Sequence, residues 1–162
     1  MIGSDDFEEL ALNRQLCFAL YAASRVMTRA YRPMLQDLGL TYPQYLVLMV
    51  LWEWAQEDSA NREKRNLGAL GQRLLLDSGT LTPLLKRLEQ RGLVQRQRAT
   101  WDERVTLVAV TRAGLALKSR ARKWVSQHPE RTSIRPAEIE PLRDALWQFL
   151  RKIERGPDRA DT

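Results

Sequence analysis

The sequence predicts a mainly α-helical protein with one small β-hairpin, an α+β fold, and three consecutive patterns indicate it. Leucines recur at helical spacing between 67 and 76, and a polar break follows at 77–79. A second helix then has leucines along one face. Two short apolar runs, 93–98 and 104–110, flank a polar tip and predict a hairpin. This order of elements is the layout of a winged helix-turn-helix, which places its second helix in the major groove of DNA.

Length, charge and cysteine content narrow the class of protein. The 162 residues suit one domain with a buried core. Lys and Arg outnumber Asp and Glu by 26 to 20, and the net charge of +6 suits a polyanion, although a basic surface can also serve solubility alone. No apolar run approaches the ~18 residues of a membrane span, and the acidic N-terminus does not resemble a signal peptide. One cysteine cannot form an intrachain disulfide, and we expect a cytoplasmic protein.

Two helices are predicted before the helix-turn-helix. The first runs from about 7 to 38, and Pro33 is expected to kink or interrupt it because proline lacks an amide hydrogen. Thr41 is a candidate N-cap for the second helix, which spans about 42–54. This helix is apolar on nearly every side, so it belongs in the core. Residues 56–66 are polar and are predicted to form a solvated loop.

Two further helices are predicted after the hairpin. Thr111 caps a helix that reaches about 127, and a loop covers 128–135. Pro136 opens the last helix, which has a long apolar stripe. The tail from 156 is expected to be disordered.

The outer helices hold more apolar surface than the middle of the chain needs, which predicts a homodimer. We expect a single domain, 1–162, in which helices at 7–40 and 111–154 form the dimerisation region. The winged-helix region at 42–110 lies between them. A dimer would present two recognition helices to a palindromic operator in double-stranded DNA.

Three tracts resemble the MarR family of dimeric winged-helix regulators, namely LGLTYPQYLVLMVLWE, LLLDSGTLTPLLKRLEQRGLV and DERVTLVAVT. Within that family, LNRQLCFALYAASRVMTRAYRPML with LTYPQYLVL resembles the organic hydroperoxide regulators (OhrR type). Members of this kind use an N-terminal cysteine as a peroxide sensor, and two tyrosines hydrogen-bond it. The resemblance implies that Cys17 is the sensor, that Tyr31 and Tyr42 are its partners, and that organic hydroperoxides and small thiols are its reactants.

Cys17 has two interpretations. A cysteine among apolar residues of a helix can be a small buried hydrophobe. A peroxide sensor instead needs a thiolate, because the thiolate attacks the O–O bond, and phenol hydroxyls can hydrogen-bond that anion without adding charge. Phe18 and Tyr21, with Leu20 and Met27, are candidate walls of an apolar pocket that would favour organic hydroperoxides, or they are plain core.

Helix geometry separates Cys17 from Tyr31 within one chain. Fourteen residues of straight helix rise by about 21 Å, so the two side chains meet only if the first helices of two subunits lie antiparallel. The alternative for Tyr31 and Tyr42 is ordinary packing. No resolving cysteine follows in the chain, so a sulfenic acid at Cys17 would react with a small thiol or be oxidised further. Oxidation at a packed interface is expected to rotate the DNA-binding lobes as rigid bodies.

The recognition helix is predicted to begin near Ser78 and, with the hairpin, to supply the DNA contacts. Hydroxyls and long basic side chains reach phosphates or base edges. Pro83 is acceptable in or near the first turn. The candidate DNA-contacting residues are Ser78, Thr80, Thr82, Pro83, Lys86, Arg87, Arg96, Arg98 and Arg104. Arg98 lies nearest the tip and is the predicted minor-groove residue, whereas surface solubility is the alternative for these arginines.

Three tip residues also have structural interpretations. Asp102 and Arg104 resemble the family's DER motif, in which the acidic residue braces the arginine. Trp101 departs from the usual polar residue and is expected to pack against the hairpin stem or to contact a sugar.

Three functions compete. The first is a repressor that organic hydroperoxide releases from its operator through Cys17. The second is a MarR-type repressor that responds to a small aromatic ligand at the dimer interface, with Cys17 inert. The third is a thiol peroxidase, which the sequence disfavours because it has one histidine, no second cysteine, no glycine-rich phosphate loop and no metal-ligand cluster. We therefore expect a regulator without catalytic residues, cofactor or metal, and without a membrane partner.

Overall fold

The structure is a computed structural model that describes residues 8–57, 63–127 and 135–155. Its helices are α1 (Leu16–Ala30), α2 (Arg32–Leu38), α3 (Tyr42–Trp54), α4 (Leu67–Leu74), α5 (Ser78–Gln90), α6 (Arg112–Gln127) and α7 (Pro136–Arg155), and its strands are β1 (Val94–Arg98) and β2 (Thr106–Val110). The chain up to Gln127 forms one compact unit, and α7 belongs to a second. Helices with one antiparallel hairpin confirm the predicted α+β class.

The predicted first helix is wrong in its extent, and the interruption predicted at Pro33 falls two residues earlier. Two short 3-10 turns, Glu8–Leu10 and Leu12–Arg14, precede α1, and the helix is interrupted at Tyr31 before α2. Pro33 lies in the first turn of α2, where its missing amide hydrogen would have no helical acceptor anyway. Pro33 therefore helps to start a new helix and does not kink a long one. Phe7, the predicted beginning, lies outside the described residues.

Helix α3 has the predicted bounds and lies at the centre of the core. The Thr41 hydroxyl accepts from the Gln44 backbone N–H at 3.4 Å, and the Gln44 side chain accepts from the Thr41 N–H at 2.9 Å. This capping box confirms Thr41 as the N-cap. The core around α3 joins the elements from α2 to α6 and includes Met34, Leu48, Leu51, Leu70, Leu81, Leu85, Leu88, Val108 and Ala121.

Helices α4 and α5 form the predicted helix-turn-helix. Asn66 caps α4 by accepting from the Ala69 N–H at 3.0 Å, and Leu75 ends it in a left-handed conformation with φ of 55°. Helix α5 begins at Ser78, as predicted. Pro83 lies just beyond its first turn, so the Gly79 carbonyl lacks its helical donor. Gly79 is exposed, and water can replace that donor.

The hairpin forms the predicted wing. Val94 pairs with Val110 at its base, and Arg98 pairs with Thr106 near its tip. The segment before α4 extends the sheet, because the Val108 N–H donates to the Arg65 carbonyl at 3.0 Å and Asn66 bridges to Leu107. Gly92 leads into the wing with φ of +67°, a left-handed conformation that glycine adopts readily after a helix C-terminus. The base of the wing is thus fixed to the body of the protein.

Helix α6 packs very closely against the base of the wing at Gly114. A Cβ atom on Gly114 would lie 2.2 Å from the Leu93 carbonyl oxygen and 2.6 Å from a Val110 methyl carbon. The indole N–H of Trp52 donates to the Gly114 carbonyl at 3.0 Å, and the Thr111 hydroxyl accepts from the Gly114 N–H at 3.1 Å. Thr111 is therefore the cap that the sequence predicted, and α6 has a fixed origin.

The outer helices each expose large apolar side chains. Helix α1 has no buried residue, and its exposed large side chains are Leu16, Phe18, Tyr21, Val26 and Met27. Helix α7, considered by itself, exposes Ile139, Leu142, Leu146, Trp147 and Ile153. The exposed apolar residues of α7 have the spacing of one helix face, whereas those of α1 are distributed around the helix. No helix in the described ranges is long and apolar enough to cross a membrane.

Three predicted irregular segments fall wholly or partly outside the described residues. They are the loop at 56–66, of which 58–62 are not described, the loop at 128–135 apart from its last residue, and the tail from 156. Their predicted conformations stay predictions.

Candidate DNA interface and redox site

Helix α5 presents the predicted polar face to solvent. Its exposed residues include Ser78, Thr82, Pro83, Lys86 and Arg87. Thr80 differs from them, because its hydroxyl donates to Asp77 Oδ2 at 3.0 Å and its backbone N–H donates to Asp77 Oδ1 at 2.8 Å. These bonds, the backbone one first, lower the pKa of Asp77 below its ordinary value of 3.8, so a carboxylate caps α5. The Thr80 hydroxyl hydrogen is thus engaged within the chain.

An ion pair joins the end of α5 to the wing. The Arg96 guanidinium donates twice to Glu89 Oε2, at 2.6 and 3.0 Å, and the Arg96 backbone N–H donates to Oε1 at 3.0 Å. The side-chain hydrogen bond from Arg96 is the main cause that lowers the pKa of Glu89 below its ordinary value of 4.5. Arg96 therefore fixes the wing against the recognition helix. The DNA contact that the sequence predicts for Arg96 stays a prediction. The sequence did not single out Glu89.

The two arginines of the hairpin tip have different surroundings. Arg98 Nη1 donates to the Glu103 carbonyl at 2.8 Å, so the predicted minor-groove residue braces the tip in this structure. Asp102 Oδ1 accepts from the Arg104 backbone N–H at 2.9 Å and thus braces the main chain of Arg104, not its guanidinium. Arg104 is exposed, and across the described ranges its guanidinium has no hydrogen-bond or ion-pair partner. Arg104 is therefore better placed than Arg98 for the predicted insertion into the minor groove.

Arg91 was not predicted as functional, yet it joins α5 to α2. Its guanidinium donates to the carbonyls of Gly39 and Leu38, the latter at 3.3 Å. Carbonyls at a helix C-terminus attract a cation because they lack intrahelical donors. The contact spans 52 positions of sequence, so no local pattern could have indicated it.

Cys17 lies in the first turn of α1, not in the middle of a long helix. Its side chain is exposed in the single chain, which contradicts burial in the chain's own core. The Phe18 and Tyr21 rings lie 6.5 Å apart and are also exposed. The Tyr21 hydroxyl accepts from Arg25 at 2.8 Å. Phe18 and Tyr21 therefore form an aromatic surface on the same helix, and their interpretation as core of the chain is wrong.

The two tyrosines predicted to serve the sensor lie together beyond the other end of α1. The Tyr31 and Tyr42 rings are 5.7 Å apart and half-buried. Tyr45 and Trp124, which the sequence did not single out, each lie 6.2 Å from the Tyr31 ring. Burial, with a smaller contribution from the Tyr31 phenol, raises the pKa of Tyr42 above its ordinary value of 10.0. Tyr42 therefore keeps its proton and can donate a hydrogen bond at physiological pH.

One chain does not bring the predicted sensor residues together. Helix α1 is continuous from Leu16 to Ala30, so Cys17 and Tyr31 lie at its opposite ends, about 21 Å apart along the axis. Within a single copy of the protein, the Cys17 sulfur and the phenols of Tyr31 and Tyr42 therefore lie at two separate places, and each is one half of the predicted sensor site.

Two sequence comparisons agree on the class of protein. The family described as "Transcriptional regulator SarA/Rot" matches residues 29–120. The chain is also 49% identical to the organic hydroperoxide resistance transcriptional regulator of Bacillus subtilis (strain 168) over 115 residues, which cover 71% of this chain and 73% of that relative.

Solved structures of DNA complexes share the whole fold. A cysteine-to-serine variant of MarR from E. coli, complexed with operator DNA, superposes with a TM-score of 0.71 at 27% identity and covers 91% of this chain and 99% of its own. The chain belongs to the MarR family. Reduced AbfR bound to DNA is a second similar structure, with a TM-score of 0.70, 35% identity and coverage of 89% and 95%. This MarR-family chain is thus a winged-helix transcriptional regulator whose relatives are regulators and not enzymes.

Proposed function

We propose that this regulator is a dimeric repressor and that organic hydroperoxides release it from a palindromic operator by oxidising Cys17. The observation that carries the proposal is the exposure of Cys17 at one end of α1, with the tyrosine pair beyond the other end. Two antiparallel α1 helices would bring Cys17 of each subunit to Tyr31 and Tyr42 of the other. The exposed apolar side chains of α1 support this pairing, because burial of apolar surface drives association.

The proposed redox step is a two-electron transfer. The Cys17 thiolate attacks one oxygen of the hydroperoxide, an S–O bond forms, the O–O bond breaks, and an alkoxide leaves and takes a proton. The sulfur is oxidised to a sulfenic acid and the peroxide is reduced to an alcohol. A small thiol then condenses with the sulfenic acid, which forms a mixed disulfide and releases water.

The DNA contacts in this proposal come from α5 and the tip of the wing. Ser78, Thr82, Lys86 and Arg87 are exposed on α5 and would face the major groove, and Arg104 would enter the minor groove. AbfR has been solved reduced and overoxidised on DNA and in a disulfide form, which supports redox chemistry as the input here too. A repressor of this kind would act in the cytoplasm, where its operator is.

The test is operator binding by reduced protein before and after addition of cumene hydroperoxide, at fixed salt, for wild type and Cys17→Ser. We expect wild type to dissociate and Cys17→Ser to stay bound. If both stay bound, Cys17 is not the sensor, and release by a small aromatic compound in both proteins would support the ligand-responsive alternative. If Cys17→Ser also dissociates, another group reacts with the peroxide. Peroxide consumption with added thiol would separate a sensor from a thiol peroxidase, because the enzyme would consume many equivalents per subunit by rapid turnover and a sensor would not.

A further inference from the structure

Trp101 is a large aromatic residue at the tip of the wing that the proposed function does not use. Its side chain is 53% exposed. Across the described ranges its indole takes part in no hydrogen bond and no ring contact, so its N–H donor is not engaged by the described part of the chain. A single exposed apolar side chain is ordinary on a protein surface, so exposure alone does not define a site.

The loop around Trp101 is held on both sides by hydrogen bonds. The Ala99 N–H donates to the Val105 carbonyl at 2.9 Å, and the Val105 N–H donates to the Asp102 carbonyl at 3.0 Å. The Arg98 contact with Glu103 closes the same loop across the tip. Trp101 is therefore presented by an ordered turn, and its binding would cost little additional backbone ordering.

The position of the tip points to DNA as the occupant. The Glu89–Arg96 ion pair fixes the wing relative to α5, and Trp101 lies in the tip loop of that wing, between the proposed DNA contacts Arg98 and Arg104 in sequence. The guanidinium groups of Arg98 and Arg104 flank the indole along the sequence and attract phosphates, while the neighbouring Asp102 carboxylate is engaged by a main-chain N–H. A protein partner would gain nothing from this pair of cations unless its surface were acidic.

The hydrogen-bonding capacity of the Trp101 indole indicates which groove of the DNA and which base pair it would contact. Trp has one N–H donor and no acceptor. In the minor groove an A·T pair presents only acceptors, whereas a G·C pair adds the guanine amino group, a donor. We propose that Trp101 is a minor-groove contact that favours A·T pairs beneath the wing tip, with its N–H donated to the groove floor and its ring against a deoxyribose. The inference rests on the DNA-binding role and does not depend on the peroxide chemistry of Cys17.

The first experiment selects binding sites from a random duplex library with reduced wild type, Trp101→Ala and Trp101→Phe. Wild type should enrich a palindrome with A·T pairs in the flanks under the wings. Trp101→Ala should enrich the same palindrome without that flanking preference, because α5 is unchanged. Trp101→Phe fills a similar space without the N–H donor, so loss of the preference in this variant assigns it to the donor. Thr100→Ala, at the adjacent exposed position, is the matched control and should behave like wild type.

The second experiment measures affinity for the selected duplex with A·T, G·C or inosine·C flanks. Wild type should bind the G·C duplex about tenfold more weakly, the scale of one unfavourable base pair. Inosine·C should restore the affinity, because inosine lacks the guanine amino group. Trp101→Ala should bind all three alike and keep the wild-type salt slope, whereas Arg104→Ala should reduce that slope by about one.

Equal flank preferences in wild type and both Trp101 variants would overturn the inference. So would a defect of Trp101→Ala that appears only when several dimers bind one long DNA, because that would indicate contact between proteins. If wild type enriches no sequence at all, the proposed function fails first, and the two failures are thereby distinguished.

Discussion

The guanidinium of Arg91 donates to the main-chain carbonyl of Gly39, which joins the end of the recognition helix to the end of α2. Three residues after Gly39 the chain reaches Tyr42, which is one of the two half-buried tyrosines of the pair. A displacement of Tyr42 during oxidation would therefore move the segment that Arg91 holds. This contact is a direct physical route between the proposed sensor and α5.

Removing the Arg91 contact should weaken operator binding without affecting the sulfur chemistry. In Arg91→Met we expect the reduced protein to lose about fivefold in operator affinity, as for loss of a ~1 kcal/mol positioning contact. The rate of Cys17 oxidation, followed by dimedone labelling and mass spectrometry, should equal that of wild type. Arg91→Lys retains the charge but not the forked geometry and should be intermediate. A slower oxidation in Arg91→Met would show that Arg91 acts at the sensor itself.

Mixed dimers can test whether the sensor crosses the subunit boundary. Neither Cys17→Ser nor the Tyr31→Phe/Tyr42→Phe double variant should release DNA on peroxide treatment. When the two are mixed and allowed to exchange, about half of the dimers contain one complete trans site. Peroxide should oxidise Cys17 in those dimers at the wild-type rate. Phenylalanine keeps the ring packing, so the comparison isolates the hydroxyl groups.

No recovery in the mixture, with subunit exchange verified by native mass spectrometry, would contradict a trans sensor. It would leave Tyr21, one helical turn from Cys17, as the phenol to test next.

The Glu89–Arg96 ion pair should make wing stability depend on acid pH. Arg96 lowers the folded-state pKa of Glu89 below 4.5, so the stabilisation is present above pH 4.5 and is lost as the pH falls through the folded pKa. Glu89→Gln should therefore melt below wild type at neutral pH, and the gap should close under acid conditions. Glu103→Gln is the control, because no hydrogen bond to its carboxylate is found among the described residues. A gap that stays constant as the pH falls to the acid limit of the folded state would attribute the effect to packing.

The capping box at Thr41 should contribute to stability in a graded way. Thr41→Ala removes the acceptor for the Gln44 N–H and should lower the free energy of unfolding by about 1 kcal/mol in urea titrations. Thr41→Ser keeps the hydroxyl and should remain near wild type. Equal losses in both variants would assign the effect to the threonine methyl group and not to the hydrogen bond.

Local patterns predicted the elements that depend on local physics. The bounds of α3, the start of α5, the Thr41 and Thr111 caps and the hairpin follow from apolar periodicity and cap chemistry, which act within a few residues. The division of α1 from α2 was predicted only approximately, because the sequence indicated a kink or an interruption at Pro33 and the interruption falls at Tyr31.

Contacts between distant segments could not be predicted in this way. Tyr31 and Trp124 meet across 93 positions, a separation that no periodicity encodes. Thr80, Arg96 and Arg98 have the residue types of DNA contacts, yet each forms a bond within the chain. The type of a polar residue indicates what it can bind, whereas its neighbours in the fold decide what it does bind.

The close approach at Gly114 has a consequence for mutational robustness. Because a single methyl group there would collide with the Leu93 main chain, the position should have no neutral variants. The adjacent Ala113 and Leu115 are exposed and should accept many substitutions. Most residues on the solvent face of α6 can therefore be substituted. The beginning of α6 is fixed, because the hydrogen atom on the Gly114 Cα cannot be replaced by a carbon.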